Sequence, residues 1–169
     1  MRNLLPRVRR SVAELGFSLR HRVRVRLAEP DELRSPSGTD LLGLTRIVAV
    51  DEGRGHAEAV LVLRGLPAEL FGSTVAHELG HAWLSENGNH PRNPAVEEGL
   101  CELIAYAWLK KSSTRFGAAL REELATNTDP VYGEGFRQVH TAVRHHGVDR
   151  VLRTVAATGE LPPSRKSTR

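Results

Sequence analysis

His77-Glu78-Leu79-Gly80-His81 is the stretch of this sequence whose residue types and spacing most directly suggest chemistry. Two imidazoles four positions apart lie one above the other on a helix, so both can aim at a single metal ion. Glu78 stands about 100° round the helix from His77, beside such an ion and not on it. That offset suits a base that takes a proton from a zinc-bound water. A catalytic zinc normally has three protein ligands and one open position. The segment Val96-Glu97-Glu98-Gly99-Leu100-Cys101-Glu102 supplies candidates for the third. In one helix Glu98 and Glu102 share a face, with Glu97 about 100° away. Ala105 and Leu109 continue the carboxylate side, while Val96, Leu100, Leu103, Ile104 and Ala107 line the opposite side, so both sides are expected to be covered. Covered carboxylates need partners, and a metal would provide one. On residue types alone Glu97, Glu98 and Glu102 all stay open. His90, a further imidazole, reads as a surface loop residue.

Two blander readings compete. The histidines could be satisfied core residues, and the glutamates could form a solvated helix start favoured by the helix dipole. Against the first, Leu70, Phe71, Val75, Leu79, Trp83 and Leu84 are spread round the helix, which predicts burial on both sides. Two imidazoles buried there require partners.

The elements that must position these groups can be read along the chain. Val8, Val12 and Leu15 at helical spacing predict a short amphipathic helix stopped at Gly16. His21 to Leu27 alternates arginine with apolar residues, the pattern of a half-exposed strand. After a loop over residues 30 to 40, Leu41–Val50 and Ala57–Arg64 read as two more strands joined by a turn around 51–55. A sheet of roughly three strands is expected, with Val60 to Leu63 as an edge open to an extended substrate. Leu66-Pro67 opens the helix carrying the histidines, and Asn87-Gly88 closes it. Asn93 and Pro94 fit the cap and first position of the glutamate helix, which is expected over 94–110. Residues 114–126 predict a third helix with Phe116, Leu120 and Leu124 on one face. Tyr132, beside Gly133 and Gly135, is open as a packing residue or as a donor to an oxyanion. His140, His145 and His146 follow in a probable-helix pattern and default to solvent. A last helix, capped by Asp149, is expected to end at Thr158-Gly159.

HELGHAWL, then VEEGLCELIAYAWL, then DPVYGEGFRQVHTAVRHHGVDRVLRTVAATGELP resemble the peptidase domain of the plant DA-one family. GLPAELFGSTVAHELGHAWL extends the resemblance upstream, so that it covers most of residues 60–162. The family comprises LIM-domain, ubiquitin-activated zinc peptidases that limit organ growth, and it has bacterial single-domain relatives. The resemblance implies a gluzincin, whose third ligand is a helical glutamate. In several gluzincin families that glutamate immediately precedes a glycine, which selects Glu98. It also brings Tyr132 forward, since a segment like YGEGFR recurs in the family. The expected metal set is therefore His77, His81 and Glu98 around Zn2+, with Glu78 and Tyr132 catalytic and Glu102 orienting a ligand imidazole. The expected fold is α+β, a small N-terminal β-sheet packed on a mostly helical zincin-like domain over 1–161, with a basic tail over 162–169.

Composition narrows the setting. Hydrophobic residues make up 40% and charged residues 26%, a globular balance. Cys101 is the one cysteine, so no disulfide can form within the chain, and it reads as a small buried helix residue. That cysteine count cannot furnish LIM domains, and 169 residues leave no room for ubiquitin-interacting segments. Ubiquitin activation and the plant substrates are therefore not expected to carry over. With no leader and no membrane-length apolar run, a cytoplasmic location is expected. The net charge of +4 is scattered without runs or interleaved aromatics, so nucleic acid is not an expected partner. A peptide or protein substrate is. Two other roles remain in view, a repressor-cleaving regulator and a non-catalytic basic module that keeps the peptidase fold.

Overall fold

Alternating apolar and polar residues build three strands: β1 (Arg24–Ala28), β2 (Gly43–Asp51) and β3 (Arg54–Leu63). The computed structural model describes residues 3–35, 38–51, 54–87 and 93–163, and in it the strands form one mixed sheet ordered β1-β3-β2. β1 runs parallel to β3, and β2 runs antiparallel to it. β3 is therefore the middle strand, with ladder partners on both sides. The expectation that Val60 to Leu63 offers a free edge fails for that reason; β1 and β2 are the edge strands. On one face of β3, Val60 and Val62 are fully buried in the main core; on the other, Leu61 joins a small cluster with Ala28 and Leu33.

Six helices complete the described residues: α1 (Leu4–Glu14), α2 (Ala68–Asn87), α3 (Pro94–Leu109), α4 (Arg115–Thr126), α5 (Gly133–His146) and α6 (Val148–Thr158). Gly16, with φ 94°, turns the chain after α1 as its sequence suggests. α2 lies between the sheet and α3, and α3 packs in turn on α5. Its apolar residues point all round because it is covered on several sides, and Phe71, Val75, Leu79, Trp83 and Leu84 are all buried. Asn93 caps α3 by accepting a 2.9 Å hydrogen bond from the Ala95 N–H. Thr114 does the same for α4 from the Gly117 N–H at 3.0 Å. α6 departs from expectation: Gly147 precedes it, and Asp149 sits inside its first turn. The cap expected at Gly88, the loop residue His90 and tail residues 164–169 lie outside the described residues.

Small residues set how closely these helices cross. A Cβ on Gly80 would stand 2.8 Å from Cys101 Sγ, which brings α2 and α3 into close contact below the histidines. A Cβ on Gly135 would collide with the Ala95 carbonyl oxygen, and one on Gly99 with the Gly135 carbonyl oxygen. Gly135 thus serves the α3–α5 crossing, while a Cβ on Gly133 would collide with the Asn127 carbonyl oxygen, where the chain leaves α4. At the far end of α2, the buried Glu86 carboxylate accepts from the N–H groups of Arg20 (2.6 Å) and His21 (3.0 Å), tying the approach to β1 onto the helix.

Candidate metal centre and cleft

α2 and α3 bring four of the expected groups together. His77 Nε2 and His81 Nε2 lie 3.2 Å apart. Glu98 Oε2 lies 3.2 Å from the first and 3.6 Å from the second. Ligand atoms at tetrahedral positions about 2.0–2.1 Å from a zinc ion stand about 3.3–3.4 Å from one another. The triangle therefore has the size a zinc ion requires. The opposite ring nitrogens are held as well. His77 Nδ1 is 3.3 Å from Glu102 Oε1, and His81 Nδ1 is 3.2 Å from Glu97 Oε1. Each imidazole thus turns Nε2 toward the common point and Nδ1 toward a carboxylate, the arrangement that orients metal-binding histidines. Glu102 occupies the orienting place its helical phase suggests. Glu97, set apart by that same phase, serves the second histidine.

Glu98 Oε2 tests the fit. It is buried and has no hydrogen-bond partner, although both Nε2 atoms stand near it. A buried oxygen left in that state is costly, and a cation among the three atoms would satisfy it. The residues fit a zinc ion.

A second set of atoms overlaps the first. Nitrogens of His77 and His81 and the sulfur of the buried Cys101 all lie within 4.8 Å of one another, a cluster able to hold a metal ion. Sequence reading treated Cys101 as core filling. Its position three residues after Glu98 was the available signal, because that spacing returns a helix to nearly the same face.

Electrostatics match the crowding of opposite charges. For His77, burial lowers the pKa, but the neighbouring carboxylates of Glu102 and Glu98 outweigh it and leave the imidazole well above its usual value. For His81, burial again lowers it, while Cys101, Glu97 and Glu98 raise it further. Burial pushes Glu98 upward, yet the two imidazoles bring its carboxyl down to about 2.

Glu78 faces the sheet side of the same cleft and is buried. Thr45 Oγ1 on β2 lies 2.7 Å from Glu78 Oε2 and 2.9 Å from the Glu78 main-chain oxygen. The cleft encloses about 610 Å³, with β2 along one wall, and Leu120, Leu124 and Tyr132 on the other side of the histidines. Tyr132 is 42% exposed, so it faces the cleft and is not a packing residue. Its phenol pKa is raised, first by burial and then by Glu98. His140 does not line the cleft; its ring stacks on Phe136 at 5.3 Å. Neither His145 nor His146 lines it. α4 shows one further departure: Phe116 is exposed, while Leu120 and Leu124 face the cleft.

Comparison with known proteins follows the same residues. The DA1-like family model, described as Protein DA1, matches residues 38–119 and 110–158. Protein DA1-related 1 of Arabidopsis thaliana is 31% identical over 140 residues, covering 64% of this chain and 25% of that protein. Protein DA1 of Arabidopsis thaliana is 31% identical over 132 residues, covering 62% and 25%. The LIM domain-containing protein HDR3 of Oryza sativa subsp. japonica is 30% identical over 145 residues, covering 64% and 29%. The chain therefore spans only about a quarter of the length of these curated relatives. No solved structure matches it. α2 to α6, with both histidines, the glutamates of α3 and Tyr132, lie within the matched residues, and the chain belongs to the DA1-like family.

Proposed function

We propose that residues 1–161 form a zinc-dependent peptidase domain in which His77, His81 and Glu98 hold the metal. The observation that carries this reading is the unpartnered Glu98 Oε2, buried and directed at the point both Nε2 atoms face. Zinc bound there would polarise a peptide carbonyl and acidify a water molecule. Glu97 and Glu102 hold the two imidazoles in orientation and tautomer. Glu78 accepts the water's proton at a carboxylate oxygen and passes it to the departing amine. Tyr132, its pKa raised and its proton therefore retained, donates a hydrogen bond to the carbonyl oxygen as negative charge grows there. An extended peptide lies along β2, whose outer edge carries unpaired backbone groups. The substrates of the longer relatives are not carried over to a chain that matches a quarter of them.

A second reading has one observation in its favour, the His77, His81 and Cys101 cluster. A thiolate as third ligand would make a closed, structural zinc centre in a non-catalytic binding module. Metal analysis of purified variants separates the two. The peptidase reading expects one zinc per chain, retained by Cys101→Ala. Glu98→Gln should weaken binding by more than the roughly 10- to 100-fold typical of losing an orienting group. Metal lost from Cys101→Ala and kept by Glu98→Gln would put the structural centre in its place.

A further inference from the structure

β2 contributes more than a wall. Gly43 and Thr45, two residues apart on an extended strand, face the same way, toward α2. Thr45 Oγ1 lies 2.7 Å from Glu78 Oε2, and no other side chain among the described residues hydrogen-bonds the Glu78 carboxylate. The hydroxyl has one hydrogen and two acceptors in reach, the carboxylate and the Glu78 main-chain oxygen at 2.9 Å; the carboxylate is nearer and charged, hence the stronger partner. The other carboxylate oxygen lies over Gly43. A Cβ there would stand 2.7 Å from Glu78 Oε1, 2.8 Å from Glu78 Cγ and 2.7 Å from Thr74 Cγ2. Glycine weakens a strand interior and is kept where something must approach closely. Here the approaching group is the glutamate. Immediately after Thr45 the β2–β3 pairing shifts register, between Arg46 and Ile47, a local device that re-aims side chains beside sites.

We propose that Thr45 is a positioning residue that holds Glu78 by one carboxylate oxygen, while Gly43 leaves the space in which the other oxygen stands. The proposal rests on the reading of Glu78 as the base of a peptidase. A glutamate side chain has several rotatable bonds, and a base is effective only when it stands within hydrogen-bond reach of the proton it takes. Anchoring Oε2 to the sheet fixes that position and leaves Oε1 for the proton. Because the anchor belongs to the edge strand proposed to bind substrate, one strand would place both the peptide and the base.

The test compares Thr45→Val, Thr45→Ser and Gly43→Ala with wild type and Glu78→Gln, all zinc-loaded. Valine keeps the shape of threonine and suits a strand, while serine restores the hydroxyl. Zinc content and thermal unfolding are measured for each. In protein labelled with 13C-glutamate, the Glu78 carboxyl resonance, assigned by its absence in Glu78→Gln, is followed independently of activity. kcat and KM are measured on a peptide that wild type cleaves from a proteome-derived library. Thr45→Val should keep zinc, move the Glu78 resonance, and lower kcat by about ten- to a hundredfold, as expected for losing a hydrogen bond to a charged group. KM should hold within about twofold. Serine should restore both resonance and kcat, and Gly43→Ala should lower kcat with zinc retained. An unmoved resonance in Thr45→Val, a wild-type kcat in that variant, or a serine variant as impaired as valine would overturn the proposal. Equal cleavage by wild type and Glu78→Gln would instead remove Glu78 as the base, and no cleavage by either would remove the peptidase reading; the resonance alone then decides whether Thr45 holds the carboxylate.

Discussion

At the scale of single residues, the centre is an array of imidazole–carboxylate pairs whose Nε2 atoms converge with Glu98 Oε2. In the metal-free protein, burial works against charge on His77 and His81, but the surrounding carboxylates and Cys101 hold both pKa values above the usual imidazole range. A metal that binds the ring nitrogens must displace the protons that sit on them. Protons and zinc compete for the same nitrogens, so zinc affinity should rise with pH and weaken as pH falls, with protons released as zinc binds. Calorimetric titration in buffers of different ionisation heat measures that release. Uptake of zinc with no proton release would contradict the geometry of the centre. Much of this was legible in the sequence, because a helix of known pitch decides which of His77, His81, Glu98 and Glu102 can meet. Glu97 had no role assigned once Glu98 was preferred, and its contact with His81 Nδ1 follows from the two histidines sitting one turn apart. Thr45 was out of reach altogether: it approaches Glu78 across 33 residues, and no periodicity tells which residue of a strand will touch which residue of a helix.

At the scale of elements, α3, which carries Glu98, is held at close spacing to α5. That spacing depends on glycine. Gly135→Ala adds a methyl group that must displace the Ala95 carbonyl, so it should destabilise the zinc-loaded protein by about 1–3 kcal/mol despite the better helix propensity of alanine. Urea unfolding checks this, and unchanged stability would show that the helices can part without cost. Among the described residues, sequence reading recognised the six α-helices and all three strands, because periodicity, Asn93-Pro94 and Gly16 carry local physics, while the short 3-10 helix at Pro30–Glu32 falls in the segment read as a loop. It did not recognise what the faces meet. The apolar face of α4 was visible in Leu120 and Leu124, yet an apolar stripe reads the same whether it meets a core or a cleft. Strand order was equally silent, and Val60 to Leu63 became the centre of the sheet because β1 pairs on its far side.

At the scale of the molecule, α2 is the shared wall. Its histidines face α3, its Glu78 faces the sheet, and the cleft opens along β2. Among the described residues no helix is long and apolar enough to cross a membrane. In the proposed peptidase this architecture separates metal holding from proton transfer: three groups for zinc, and Glu78 for the proton. Glu78→Gln keeps the size and a hydrogen-bonding end but cannot serve as the base. Its direct measurement is peptide hydrolysis by zinc-loaded wild type and Glu78→Gln on the same proteome-derived peptide library, with zinc content and unfolding temperature recorded in parallel. The variant should keep one zinc per chain and wild-type stability while hydrolysis falls by roughly a thousandfold or more, since water activation and proton delivery fail together. Equal cleavage by the two zinc-loaded proteins would contradict it.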